Sequence, residues 1–465
     1  MATPRSQAGT EPLTFSRKEQ PVALIQNRTD RSPLDQTQFR RALMAALAVP
    51  GGYVVRASPI LSLFAASLIM LAPAHAWAQQ LPSPQDASQD PIVSVRDRPR
   101  PEYDPMGVRF GGFDLNASVE LAATATDNLF AEETDTDSDV YLTLNPKARL
   151  SSHWSRHALA FEAGGSVPSH NDFSSEDVNT GYALAEGRYD VSANTNISGN
   201  VGVSHNVEPR NSPDAPPQGV PLVEYDQTDV GIGAAHTFSR VRVSANASHH
   251  TYDYDGSQDF RSFDQTVVSG RAEVAVSPRI GLLLQATSDN RDYNNTPGLN
   301  SDGQTYLVGA TLHLTDLLRG QIAVGQFSRD YDSGISEDGL AIDSEIEWYI
   351  TRLTTLTVNA NRSTEDTIGA TTASPFVDSR YGARIDHELL RNLILTAGVQ
   401  IGKRDYDVID RTDDYTHADV GADYLLNRRW AVRARYNHDE VDSSGANRYR
   451  DYEVNAFTLG LAFRL

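Results

Sequence analysis

The sequence predicts an all-β fold, a transmembrane antiparallel up-and-down β-barrel of about 18 strands. Three observations predict it. From Asp114 to Leu465 the chain alternates apolar and polar residues with period two. The connections between alternating segments are tight and long by turns. The chain ends on a strictly alternating strand, Thr458–Leu465.

Composition bounds the class. The 465 residues are 39% hydrophobic with a mean hydropathy of -0.42, too polar for a bundle of membrane helices. One stretch, Pro59–Ala74, is apolar enough to suggest a helix. The formal net charge of -21 excludes nucleic acid as a partner, because phosphates need a basic surface. Cysteine is absent, which suits a chain passing through an oxidising periplasm.

Residues 1–78 read as an N-terminal extension and signal peptide. Arg56 precedes the apolar run Ile60–Leu71, and Ala76-Trp77-Ala78 follows. A basic flank, an apolar core of about 13 residues and a small-residue site are the parts of a secretory signal, with cleavage expected after Ala78. The run is shorter than the roughly 20 residues of a membrane-spanning helix. Residues 79–113 are rich in Pro, Arg and Asp. Such a segment is expected to be an extended periplasmic leader that buries little. The barrel is expected over 114–465.

Within it, Val241, Val243, Ala245 and Ala247 share one face, and Arg242, Ser244, Asn246 and Ser248 the other. Ile342, Ile346, Trp348 and Ile350 likewise oppose Asp343, Glu345, Glu347 and Tyr349. The tight connections are Trp154–Arg156, Ala193–Asn196, Ser239–Val241, Ser277–Arg279, Arg391–Asn392 and Asn427–Trp430. The long, polar ones are Ala131–Asp139, Val207–Glu224, Asn294–Gly303, Glu365–Pro375 and Val408–Asp414. Short periplasmic turns and long outer loops mark outer-membrane barrels. A propeller shares the repeat of roughly 40 residues, but it needs four short strands per repeat where this chain offers two long ones. In the last strand Leu459, Leu461, Phe463 and Leu465 alternate. This is similar to the terminal signal read by the barrel assembly machinery, with Leu465 where Phe is usual.

Alternation also predicts a wet interior. The expected lumen-lining set is Arg271, Glu273, Asp343, Glu345, Glu347, Arg384, Asp386, Asp419, Asp423, Arg433 and Arg435. An Arg on the lipid face near the midplane costs about 2–4 kcal/mol, so Arg433 and Arg435 are expected inside, with Val432, Ala434 and Tyr436 towards lipid. Four strands end in copies of one motif: Tyr252-Asp-Tyr-Asp255, Arg291-Asp-Tyr-Asn294, Arg329-Asp-Tyr-Asp332 and Arg404-Asp-Tyr-Asp407. Their tyrosines, Tyr254, Tyr293, Tyr331 and Tyr406, are expected at the outer rim as an aromatic girdle at the membrane interface.

Arg98-Pro-Arg-Pro-Glu-Tyr-Asp-Pro-Met-Gly107, Asp127-Asn-Leu-Phe130, Leu144-Asn-Pro146 and Trp154-Ser-Arg-His157 complete a pattern with these motifs. On it the chain resembles the proteobacterial outer-membrane β-barrel porins of the second type, over roughly Arg98 to Leu465. The resemblance implies a barrel in the cell outer membrane. Related barrels look like components of exopolysaccharide export, which implies a secretion role.

Catalytic motifs are missing. Gly231-Ile-Gly233 lacks the third glycine of a dinucleotide loop, and Arg391 stands where a zincin needs its second His after His387-Glu388. A cluster of His205, His249 and His250 is a weak alternative to solvated rim histidines. Asp135-Thr-Asp137-Ser-Asp139 starts like a calcium loop but has Val140 where Gly is needed, so a solvated acidic loop is expected. No enzyme activity, cofactor or metal is expected. The leading function is passage of exopolysaccharide or another polar polymer across the outer membrane, with periplasmic export proteins as partners beside lipid and lipopolysaccharide. The alternatives are a porin for small nutrients and a structural surface barrel with a blocked lumen.

Overall fold

The structure, a computed structural model, describes residues 93–213, 215–315, 317–368 and 373–465. The expected N-terminal extension, signal peptide and cleavage site after Ala78 lie outside the described residues.

Alternation folds the chain into strands because each backbone then offers one face to lipid and the other to water, and closure leaves no polar edge in the bilayer. A short strand, β1 (Val108–Phe110), precedes β2 (Phe113–Thr126), β3 (Asp139–Ser152), β4 (Ala158–His170), β5 (Thr180–Ser192) and β6 (Thr195–Val207). Next come β7 (Glu224–Phe238), β8 (Val241–Tyr254), β9 (Phe263–Ser277), β10 (Ile280–Tyr293), β11 (Ser301–Thr315) and β12 (Leu318–Tyr331). The last are β13 (Ser336–Thr351), β14 (Thr354–Ile368), β15 (Ala373–Leu390), β16 (Leu393–Tyr406), β17 (Arg411–Leu425), β18 (Trp430–Ser444) and β19 (Tyr452–Arg464). Strands β2–β19 form one closed antiparallel barrel of 18 strands in chain order. The seam joins β19 to β2, Ala456 opposite Thr126 and Arg464 opposite Ser118. Where β19 ends, β1 takes over the same edge of β2, Val108 opposite Leu115.

The faces follow the predicted parity. In β10, Leu282 and Leu284 are more than half exposed towards lipid, whereas Leu283 between them is buried. In β17 and β18, Val420 and Tyr436 are exposed outward. Strands β2–β19 are 13 to 18 residues long, more than the roughly 9–11 that cross the hydrocarbon, so the wall projects beyond the bilayer.

Three long loops are shorter than expected. Strand pairing continues through Glu365 opposite Phe376 and Asp366 opposite Pro375, β11 starts at Ser301, and β17 starts at Arg411. In β11 and β17 the polar residues read as loop extend the ladder above the membrane, where both faces can be wet.

Candidate functional site: the lumen and its two mouths

The eleven residues expected to line the lumen all occupy the inward parity of their strands, and most are tied into ladders along the wall. Arg271 donates to Gln321 Oε1 (3.0 Å), and Gln321 donates to Asp343 Oδ2 (3.2 Å). Glu273 accepts from Thr311 (2.8 Å). Glu347 accepts from Arg319 (2.6 Å) and from the Tyr349 hydroxyl (2.8 Å). Asp386 accepts from Arg384 (3.2 Å) and Thr396 (2.8 Å). Asp423 pairs with Arg435 at 2.6 Å and Arg433 at 3.5 Å, and Arg433 also pairs with Glu120. Glu345 and Asp419 make no ion pair among the described residues. Such a surface has to be wet, since charges left in a dry core cost several kcal/mol each. A second ladder was missed from sequence: Lys147 and Arg149 bind Glu162 at 2.7 and 2.8 Å, and Arg149 also reaches Glu186 at 3.1 Å. It obeys the same alternation and was readable from it.

Two inward glycines keep this wall flat. Any side chain at Gly402 would strike the Tyr415 ring, and at Gly421 the Arg435 guanidinium. Tyr415 and Arg435 therefore lie along the wall instead of projecting into the lumen.

The four motif tyrosines do not form a girdle. Tyr293 shares the parity of buried Leu283 and is itself buried, stacked on Phe263 at 5.0 Å. Tyr331 donates to Asp366, and Tyr406 donates to buried Asp413 (3.3 Å). Tyr254 packs under the Arg261 guanidinium at 4.5 Å. All four point into the outer mouth, while Asp253, Asp292 and Asp330 take the exposed outward positions. The physical reason is height: these strand ends stand in water above the lipid, where outward carboxylates are solvated and the rings gain by burial inside.

The histidines also separate. His250 faces inward on Asp229 and Ser248, whereas His205 lies outward between Asp226 (2.8 Å) and Glu224 (3.2 Å). His249 is outward too, on Thr266 (3.0 Å). The acidic loop is only partly solvated. Asp139 is buried and accepts from the Val140 amide at 2.7 Å.

Ordered chain covers part of both mouths. At the periplasmic end, residues 93–107 are not the unburied leader expected; they form a strap. The Val95 amide donates to Thr355 Oγ1 (3.0 Å) and its side chain is fully buried. Glu388 of β15 accepts from Arg98 (3.1 Å) and from buried Arg100 (3.0 Å), and Arg96 pairs with Asp386 at 3.4 Å. Further along, Arg428 donates to the Pro101 carbonyl (2.9 Å) and Arg464 to the Tyr103 carbonyl (3.1 Å). The strap thus spans from β14–β15 to β18–β19. Its composition suggested solvation, but a charged mouth supplies the counter-charges its arginines need.

At the outer end, residues 208–213 and 215–223 lean from β6–β7 over to the β18–β19 connection. The carbonyls of Asn211 and Ala215 accept from the hydroxyls of Tyr452 (2.8 Å) and Tyr449 (2.6 Å), and the Arg210 carbonyl accepts from Arg450 (3.0 Å). Arg210 anchors the loop through a buried two-pronged pair with Glu176, at 2.9 and 2.7 Å.

The model of the family described as Putative beta-barrel porin 2 matches residues 100–465. No curated protein matches the chain. Several solved structures are similar to it at low identity, proteins of Pseudomonas among them. Pseudomonas aeruginosa OpdL is 14% identical with a TM-score of 0.43, covering 77% of this chain and 100% of its own. P. aeruginosa OccK2 (OpdF), solved in complex with glucuronate, is 12% identical with a TM-score of 0.44, covering 76% and 98%. A BenF-like porin from Pseudomonas fluorescens Pf-5 is 12% identical with a TM-score of 0.44, covering 76% and 99%.

Proposed function

Since the chain belongs to this β-barrel porin family and resides in the outer membrane, we propose that it is a diffusion channel for small polar solutes and not an exporter of long polymer. The single observation that carries this reading is the ordered chain that narrows both mouths, the strap from β14–β15 to β18–β19 and the loop from β6–β7 to β18–β19. A polymer in transit would fill each opening for the whole passage and would have to hold both segments displaced. The strap alone is fixed by a buried cluster of Arg98 and Arg100 on Glu388, and breaking such a pair costs about 3–5 kcal/mol. Small hydrated solutes can slip beside the strap and the 208–223 loop without displacing either. The polar ladders along the wall support the same reading, because they exchange hydrogen bonds with small solutes at little reorganisation.

The test is osmotic swelling of liposomes carrying the purified barrel. Monosaccharides and other solutes of similar size are expected to enter, and long oligosaccharides to be excluded. A deletion strain should take up small sugars more slowly and keep its surface polysaccharide. Loss of surface polymer with unchanged small-solute uptake would return the polymer-export reading.

A further inference from the structure

We infer that the β14–β15 hairpin is the size-limiting constriction of the lumen and that Asp366 is the residue that positions it; the inference rests on the small-solute reading. The hairpin parts from β13 and folds inward about its other edge, where β15 stays paired with β16 as far as Phe376 opposite Tyr406. The last pair between β13 and β14 is Ile342 opposite Arg362, yet β14 and β15 stay paired to Ile368 opposite Ala373. Strand β13 meanwhile continues to Ser336, opposite Asp330 of β12. Beyond Arg362, therefore, β14 and β13 part company while both remain extended.

The direction of departure is fixed by parity. Val358 faces lipid, and Asp366, eight residues on, belongs to the same outward set. Its carboxylate instead accepts from Arg291 Nη1 and the Tyr331 hydroxyl, both on the inward faces of β10 and β12. Val377 repeats the inversion. It shares parity with lipid-facing Tyr381 and Ile385, but it is buried in one cluster with Leu283, Leu307, Ala323, Phe327 and Ala341 from the inner wall of β10–β13. The outer face of the hairpin is thus pressed onto the inner face of the barrel. Two strands can meet a wall that way only from inside the lumen.

The opposite face of the hairpin then borders what is left of the channel. Arg380 braces it, pairing with Asp378 at 2.9 Å and reaching Glu365 at 3.8 Å. Eighteen strands spaced about 4.8 Å apart and tilted about 40° make a ring roughly 35 Å across between backbones. A second layer packed about 10 Å inside one wall removes more than a quarter of that width. Of the two holds on the hairpin, the apolar cluster is non-directional, whereas Asp366 fixes register by binding two inward side chains from different strands. Asp366 is a positioning residue on this account, since it faces the wall and not the solute.

The experiment uses the full-length barrel in liposomes and planar bilayers, with Asp366→Ala, the charge-keeping Asp366→Glu, and Val377→Asp to disrupt the other hold. Folding is checked in each by resistance of the barrel to unfolding in detergent at room temperature. Both Asp366→Ala and Val377→Asp are expected to raise the size limit from monosaccharides towards trisaccharides and to increase ion conductance by roughly a third, as the freed cross-section implies. Asp366→Glu should stay closer to the unaltered size limit than Asp366→Ala does. Ion conductance reads the constriction whether or not any sugar passes. An unaltered barrel that excludes every sugar would sink the small-solute reading, whereas folded Asp366→Ala and Val377→Asp barrels with unchanged conductance would overturn the role of the hairpin.

Discussion

Replacing Glu388 by Ala should release the N-terminal half of the periplasmic strap. Glu388 is buried and takes hydrogen bonds from Arg98 and Arg100 at 3.1 and 3.0 Å, and Arg100 is as buried as its partner. Deleting one member of such a cluster strands the other charges in a poorly solvated site, at a cost of about 3–5 kcal/mol. At about 1.4 kcal/mol per factor of ten, the detached population rises between roughly a hundredfold and a few thousandfold. Val95 resists with the burial of one side chain, worth about 1.5–3 kcal/mol, so the strap loosens without leaving at once. The sensitive assay is amide hydrogen exchange in the folded barrel. The Val95 amide, held on Thr355, and the Tyr103 amide, held on the Arg100 carbonyl at 2.7 Å, should lose protection by that same factor, because exchange follows the opening equilibrium. Wall amides of β15 should not change. Undiminished protection at Val95 in a folded Glu388→Ala barrel would refute the claim that this cluster docks the strap.

Three further outcomes are expected. Gly402→Val should push the Tyr415 ring off the wall, lowering single-channel conductance and costing about 1–3 kcal/mol of stability by overpacking; an unchanged conductance contradicts it. Arg210→Ala leaves buried Glu176 unpaired, so residues 208–223 should become protease-sensitive from the cell exterior, and continued protection tells against the anchor. A cysteine replacing Arg435 should react with a water-soluble, lumen-restricted reagent while one replacing Ala434 should not, and the reverse pattern would mean that the strand register is slipped by one residue.

Much of the fold was legible because a barrel is a repeated local rule. Period two assigned Arg433, Arg435 and Asp423 to the inward parity with no knowledge of their partners, and the same rule applied to Lys147, Arg149 and Glu162 would have found the second ladder. The motif tyrosines show where a local chemical preference misled. Tyr293 lies two residues after Arg291 and four after Asp289, so parity already grouped the three on one face; the affinity of tyrosine for membrane interfaces argued the other way and lost, because these strand ends rise above the lipid. The strap and the hairpin were beyond reach for a different reason. Glu388 is 288 residues from Arg100, and Asp366 is 75 from Arg291. No periodicity links such pairs, and a Pro- and Arg-rich stretch is solvated or docked depending on carboxylates that only the closed ring brings near.

The meeting of the last strand with the first full strand at the seam carries a consequence for how the ring can be cut. The Leu465 amide donates to the Ala117 carbonyl at 2.8 Å, so the last residue lies against the first full strand with β1 continuing alongside. Connectivity around the circle is therefore nearly cyclic, and the natural break is one of many equivalent places to open it. Joining Leu465 to Phe113 through a short linker and opening the chain in the turn between β5 and β6 would rearrange the order of synthesis and keep every neighbour among β2–β19, at the loss of β1 from the edge of β2. Closure of any such permutant brings two strands together across almost the whole chain, but loop entropy grows only logarithmically with length. The ring should therefore tolerate relocation of its ends far better than deletion of a strand, which would leave two open edges in lipid.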